Sequence, residues 1–283
     1  MESSSSCRRV GIVGFGNLGK YLADQIAANP DSGLQIAFVW NRTPAAVLDS
    51  AYASVALEKL EDFRQRNADL IVEVAHPDIV RDYGAIFLQS ADLMVGSPTA
   101  CASQATEDGL RKSALENKHT VYIPSGALWG ANDILKLATQ GKLTALCITM
   151  KKHPKMLKVT EPLRSLCDKV TDTVTELYSG DVRSLCPLAP NNVNTMAAAA
   201  MAAHNLGFDK VQGRLLADPH AADHVITVDV TGPIPASGGL PMTVQTVRTN
   251  PAIPGAVTGL ATYISFYSSL LLANNRPVGV QFV

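Results

Sequence analysis

The chain has 283 residues, long enough for two domains sharing one cleft, and 24 Lys and Arg nearly balance 25 Asp and Glu, for a formal net charge of −1. That balance gives no electrostatic attraction to nucleic acid or to an anionic membrane, so a small molecule is the expected partner. The five cysteines, Cys7, Cys101, Cys147, Cys167 and Cys186, are scattered, with no C-x-x-C pair and no histidine at zinc spacing, which excludes a disulfide framework and a zinc site and suits free thiols in a reducing cytoplasm.

Residues 1–6 are polar and lack the apolar centre of a signal peptide, so no targeting segment is expected. The first structured stretch is an apolar run, residues 9–13, delivering into Gly14-Phe15-Gly16-Asn17-Leu18-Gly19 and then a helical pattern to Ala28. This is G-x-G-x-x-G in the context the motif requires. Gly14 permits the tight turn, Gly16 lets a pyrophosphate reach the backbone, and Gly19 lets the helix lie against the strand; Phe15, Asn17 and Leu18 complete the phosphate-facing turn. The helix then presents its unpaired N–H groups to the phosphates.

A second strand-length run, residues 34–40, ends at Asn41-Arg42, where this fold places the residue that meets the adenosine ribose. A carboxylate there would favour NAD by accepting from the ribose 2′-OH. Arg42 instead offers a guanidinium that pairs with a 2′-phosphate, so NADP is expected to be preferred, with NAD accepted; the other reading of Arg42 is a solvated loop residue. The run 69–75 leads to Ala75-His76-Pro77 and a helix to Ser90, which puts Ala75 beside the nicotinamide ribose and His76 at the sheet's carboxyl edge, as a loop residue or a proton carrier. Strands at 92–96 and 119–123 flank a polar helix, 104–116. Alternation of this kind implies a doubly wound parallel sheet with helices on both faces.

After Ile123 the pattern changes. Residues 124–133 read as a Gly-rich hinge entering a helix that ends at Thr139. Strands follow at 143–151, 174–178, 211–217, 224–230 and 242–248, several alternating, with one long alanine-rich helix at 194–204. An α/β protein is expected: a Rossmann dinucleotide-binding domain (1–135), an α+β substrate domain with a mostly antiparallel sheet (136–252), and a C-terminal segment (253–283) whose helix packs back on the first domain. The uncharged stretch 257–274 also holds Gly259, three serines, two threonines and two tyrosines, which suits a buried helix better than a membrane span.

Six phrases in order carry a resemblance: Ile123-Pro124-Ser125-Gly126-Ala127; Lys152-His153-Pro154; Leu177-Tyr178-Ser179-Gly180; Pro190-Asn191-Asn192-Val193-Asn194; Leu216-Ala217-Asp218-Pro219; and Asn250-Pro251. Through them nearly the whole chain resembles the L-aspartate dehydrogenase family, and its animal branch in particular. The resemblance implies reversible NAD(P)-dependent deamination of L-aspartate to oxaloacetate and ammonia through iminosuccinate, with a dicarboxylic amino or oxo acid as substrate. It places Ala127 and Asn194 at the cofactor or substrate, with Asn191 and Asn192 as neighbouring alternatives. Either asparagine could instead cap the helix.

The family carries a histidine in a pattern like D-P-x-x-x-x-N-x-H-E-I. Here the run is Asp218-Pro219-His220-Ala221-Ala222-Asp223-His224-Val225-Ile226. Counted without gaps, Ile226 takes the histidine's place; aligned on the strand, His224-Val225-Ile226 reproduces His-x-Ile after a loop two residues shorter. The second alignment is favoured, because shortening a loop is easier than replacing a proton carrier with isoleucine, and it makes His224 the acid/base. His220 is a loop substitute. Lys152 is the candidate cation for a substrate carboxylate, with Lys151 on the strand's other face and a solvated lysine as the other reading. A weakened NADP-binding sensor of the same fold is the competing function. A homodimer is expected from the apolar terminal helix and sheet.

Overall fold

The computed structural model describes residues 7–251 and 259–283. Among the described residues the strands form two sheets. The first contains β1 (Arg8–Val13), β2 (Leu34–Trp40), β3 (Ala56–Leu57), β4 (Leu70–Glu73), β5 (Asp92–Val95), β6 (Thr120–Ile123) and β12 (Gly279–Phe282), ordered β12-β6-β5-β4-β1-β2-β3. Every pairing in it is parallel. Strand order reverses at β1, between β4 and β2, so a crevice opens at the carboxyl ends of β1 and β4, the position at which doubly wound sheets bind ligands. β4 is buried throughout and β1 from Val10 on, as near-continuous apolar runs covered on both faces require.

The turn after β1 has little steric freedom. Gly14 sits at φ +110°, and a Cβ there would lie 2.8 Å from the Ala75 backbone, while a Cβ on Gly19 would collide with the Gly14 carbonyl. Around Gly16 the space is open. The helix Asn17–Ala28 follows, with no side chain capping its first turn.

The second sheet contains β7 (Ala145–Lys152), β8 (Thr175–Asp181), β9 (Gln212–Ala217), β10 (Asp223–Thr231) and β11 (Thr243–Pro251), ordered β11-β10-β7-β9-β8. It is antiparallel except for the β7–β9 pair. Along β7 and β10 alternate residues are buried, the period-2 pattern of a sheet with one covered face. The helix Asn194–Ala202 covers that face. Met196 to Ala202 are all at most 3 % exposed, and their small side chains let the helix lie close to the turn Pro98–Ala102 and to the helix Ala131–Thr139.

The helix Leu260–Leu272 returns to the first sheet: Phe266, Leu270 and Ala273 share a core with Val10, Ile12, Leu22, Val72 and Met94. Tyr263 packs on Tyr21 with ring centroids 5.4 Å apart. The α/β architecture and the packing of the last helix follow the expectation; that helix was expected over 254–274, and its first part, to residue 258, lies outside the described residues, as do residues 1–6. Two differences have identifiable causes. The run 69–75 forms a strand only over Leu70–Glu73, and beyond Val74 the Glu73 carboxylate takes the Ala75 and His76 N–H groups. β12 was not anticipated, since four residues acquire strand character only through pairing with β6. Among the described residues no helix is long and apolar enough to cross a membrane.

Candidate active site

Two concavities lie along the carboxyl edge of the first sheet. The first, a groove of about 420 Å³, is lined by Gly14, Gly16, Asn41, Arg42, Ala75 and His76. The Asn41 side chain braces it: Oδ1 accepts from the Phe15 N–H at 3.2 Å, and Nδ2 donates to the Thr43 carbonyl at 3.1 Å. Phe15 is buried edge-on against Tyr52. Arg42 is exposed at the rim. His76 caps the helix Pro77–Phe87, its Nδ1 accepting from the Asp78 N–H, and stands in the groove rather than in the second concavity.

The second is a chamber of about 110 Å³ between the sheets. Leu18, Gly96 and Pro98 line it from the first sheet's edge, Ser125 to Ala127 from the loop after β6, and Phe266 from the returning helix. Lys152 and His224 reach it from the second sheet. The antiparallel register pairs Lys151 with Val225 and Met150 with Ile226, so Lys152 stands opposite His224 at adjacent strand ends, on the same face. Lys152 is 4 % exposed and His224 2 %. Burial lowers the Lys152 ammonium from 10.5 to about 8. His224 Nε2 lies 3.2 Å from Met156 Sδ. Lys151 faces the other way and pairs with Asp218 at 3.1 Å. The reading of Lys152 as a solvated lysine therefore fails on its burial.

Ile226 also lines the chamber, opposite Met150 rather than Lys152. The imidazole of His220 turns to the Asp172 carbonyl at 3.1 Å, and that residue does not line the chamber. Asn191, Asn192 and Asn194 all line it. Asn192 is committed to its own loop, accepting from Lys158 N–H and donating to the Met156 carbonyl. Asn194 Oδ1 accepts from the Thr99 hydroxyl at 3.2 Å. The N-cap of the alanine-rich helix is Val193, with no side-chain cap, so neither asparagine is the capping residue.

Sequence reasoning missed two polar side chains here. Asn250, opposite His224 on β11 and 1 % exposed, accepts from the Ala261 N–H and donates to the Thr262 hydroxyl, tying the second sheet to the returning helix. Glu73, fully buried, ends β4, two residues before Ala75 of the groove. Burial pushes its carboxyl up to about 7, while hydrogen bonds from Ala75, Ser97 and His76 pull the other way. A charge closing an otherwise apolar strand run was the available signal for it.

A parallel sheet with an uncapped helix start at its switch point, joined across a chamber to a mixed sheet, defines a dinucleotide-binding protein with a second, substrate-sized site. Residues 14–124 match the family model described as homoserine dehydrogenase, NAD binding domain, and residues 133–269 match aspartate dehydrogenase, C-terminal. An aspartate dehydrogenase domain-containing protein of Xenopus tropicalis is 50 % identical over 93 % of both chains. An L-aspartate dehydrogenase of Ralstonia nicotianae is 28 % identical over 92 % of this chain and 96 % of that one. The crystal structure of aspartate dehydrogenase from Thermotoga maritima superposes with a TM-score of 0.70 at 20 % identity, over 96 % of this chain and 98 % of that one. The chain belongs to the aspartate dehydrogenase family, in its animal domain-containing branch.

Proposed function

We propose that the protein is an NAD(P)-dependent dehydrogenase that interconverts a dicarboxylic amino acid, L-aspartate, with its oxo acid and ammonia. The observation that carries this reading is the pairing of Lys152 and His224 on one chamber wall, facing the carboxyl edge of a dinucleotide-binding sheet. The residues fit a dinucleotide. Gly16 leaves open the space a Cβ would fill, the helix start beside it has no side-chain cap, and Arg42 stands at the rim. Gly14, Phe15, Gly16, Asn17, Leu18 and Gly19 would hold the pyrophosphate, Asn41 and Arg42 the adenosine ribose, and Ala75, Ala127 and Asn194 the nicotinamide half. Arg42 favours NADP. When bound, the cofactor supplies the hydride acceptor.

The protein's own part is binding and proton transfer. Lys152, protonated at pH 7, holds a substrate carboxylate from a buried position, where a charge-assisted bond is strong. With the substrate so fixed, His224 removes a proton from the water that adds to the imine carbon, and returns one to the departing nitrogen. A binding protein without turnover would be the better reading if Ile226 held the base's place. It shares the face of β10 but stands two pairs further along the ladder from Lys152, which favours His224. All five cysteines are free thiols, in keeping with a cytoplasmic setting, and exposed Val244, Val247 and Ile264 supply apolar surface for a homodimer. The test is NADPH oxidation by purified protein with oxaloacetate and ammonia: steady turnover is expected, and its absence with both cofactors and several oxo acids would overturn the assignment.

A further inference from the structure

The Glu73 carboxylate takes four hydrogen bonds. Oε1 accepts from the N–H groups of Ala75 (2.7 Å) and His76 (2.9 Å) and from the Ser97 hydroxyl (3.1 Å), and Oε2 accepts from the Ser97 N–H (3.0 Å). These donors come from two loops. Ala75 and His76, after β4, line the groove; Gly96 and Pro98, on either side of Ser97 after β5, line the chamber. Two residues beyond Ser97, the Thr99 hydroxyl lies 3.0 Å from the Pro190 carbonyl and 3.2 Å from Asn194 Oδ1, at the far wall of the chamber. Two hydrogen-bonded clusters, one at Glu73 and one at Thr99, thus sit two residues apart on the loop after β5, the second reaching the start of the helix that covers the second sheet.

We propose that Glu73 is a positioning residue that fixes the cofactor groove relative to the catalytic chamber, by clamping the loops after β4 and β5 to one carboxylate. The proposal rests on the dehydrogenase reading above. An acceptor at both oxygens is what the geometry requires, because backbone N–H groups face each of them, Ala75 and His76 at Oε1 and Ser97 at Oε2. An amide of the same shape has one acceptor and one donor end. Its better orientation keeps the Ala75, His76 and Ser97 hydroxyl bonds at the oxygen and sets its NH2 against the Ser97 N–H, loosening the chamber loop while the groove loop stays held. Truncation to alanine releases both.

The test uses the full chain with Glu73→Gln, Glu73→Ala and, in case either fails to fold, Ser97→Ala, which removes one donor only. NADPH dissociation constants come from fluorescence titration, kcat and KM from oxaloacetate with ammonia, and Tm from thermal melts. Glu73→Gln is expected to lower kcat at least tenfold with NADPH affinity within threefold of wild type. Glu73→Ala is expected to weaken NADPH at least tenfold as well, and Ser97→Ala to lower kcat about threefold or more. A residue serving only the fold would lower Tm and leave kcat per folded molecule unchanged; that result, or a Glu73→Gln kcat equal to wild type, overturns the proposal alone. Wild-type protein that neither binds NADPH nor turns over would overturn the dehydrogenase reading and this proposal with it.

Discussion

At the scale of single residues, burial makes the Lys152 charge conditional on pH. Desolvation disfavours the ammonium, so its proton leaves near pH 8 rather than 10.5. Below pH 8 the cation is present to hold a carboxylate; as pH rises through that value the cation is lost. At saturating ammonia, KM for oxaloacetate should therefore be flat from pH 6.5 to about 7.5 and rise by about tenfold per unit above 8, a break that Lys152→Arg should remove because a guanidinium stays charged. A KM independent of pH to 9.5 in the wild type would contradict the role. Arg42, exposed on the groove rim, makes a different claim. Arg42→Ala should weaken NADPH by about tenfold or more and NADH by less than threefold, measured by fluorescence titration; equal losses would show that the guanidinium does not meet the 2′-phosphate.

At the scale of elements, the alanine-rich helix Asn194–Ala202 does two jobs. Its small residues admit the turn Pro98–Ala102 at close range, and Ala198 faces the chamber. Ala198→Leu adds three carbons at a wall with little room to yield, so overpacking should cost about 1–3 kcal/mol in stability. It should also raise KM for the oxo acid by about tenfold, read from paired melts and kinetics; an unchanged KM would place the substrate elsewhere. Most elements were legible in the sequence because each announces itself locally. β2 runs over the expected 34–40, an apolar run closed by a turn, and β7 and β10 alternate as expected with small changes at their ends. What was not legible depends on pairing across the chain. β12 becomes a strand only beside β6. His224 and Ile226 share one face of β10, so counting along the sequence cannot separate them, and only the register with β7 sets His224 against Lys152. The N-cap reading of Asn194 fails for a similar reason, because its side-chain partner, Thr99, lies 95 positions away.

At the scale of the whole molecule, the chain closes on itself around the chamber. The returning helix supplies Phe266 to one wall. Beyond β12, the Val283 carbonyl accepts from the Ser125 N–H and hydroxyl, and from the Ser269 hydroxyl, so the final strand braces the loop that carries Ala127. A chain lacking residues 279–283 should lose several kcal/mol of stability with the Phe282 contact and the β6 pairing, and should lose turnover by more than its folded fraction falls; retained kcat per folded molecule would contradict that bracing. The central claim is that the two sheets place a proton carrier and a cation opposite a bound dinucleotide. Its most direct test is NADPH oxidation with oxaloacetate and ammonia by wild type and His224→Ala, with NADPH affinity measured alongside. The account predicts turnover in the wild type, a loss of about 10²–10⁴-fold in kcat for His224→Ala, and NADPH binding within threefold. Undiminished turnover in His224→Ala, or none in the wild type, would contradict it.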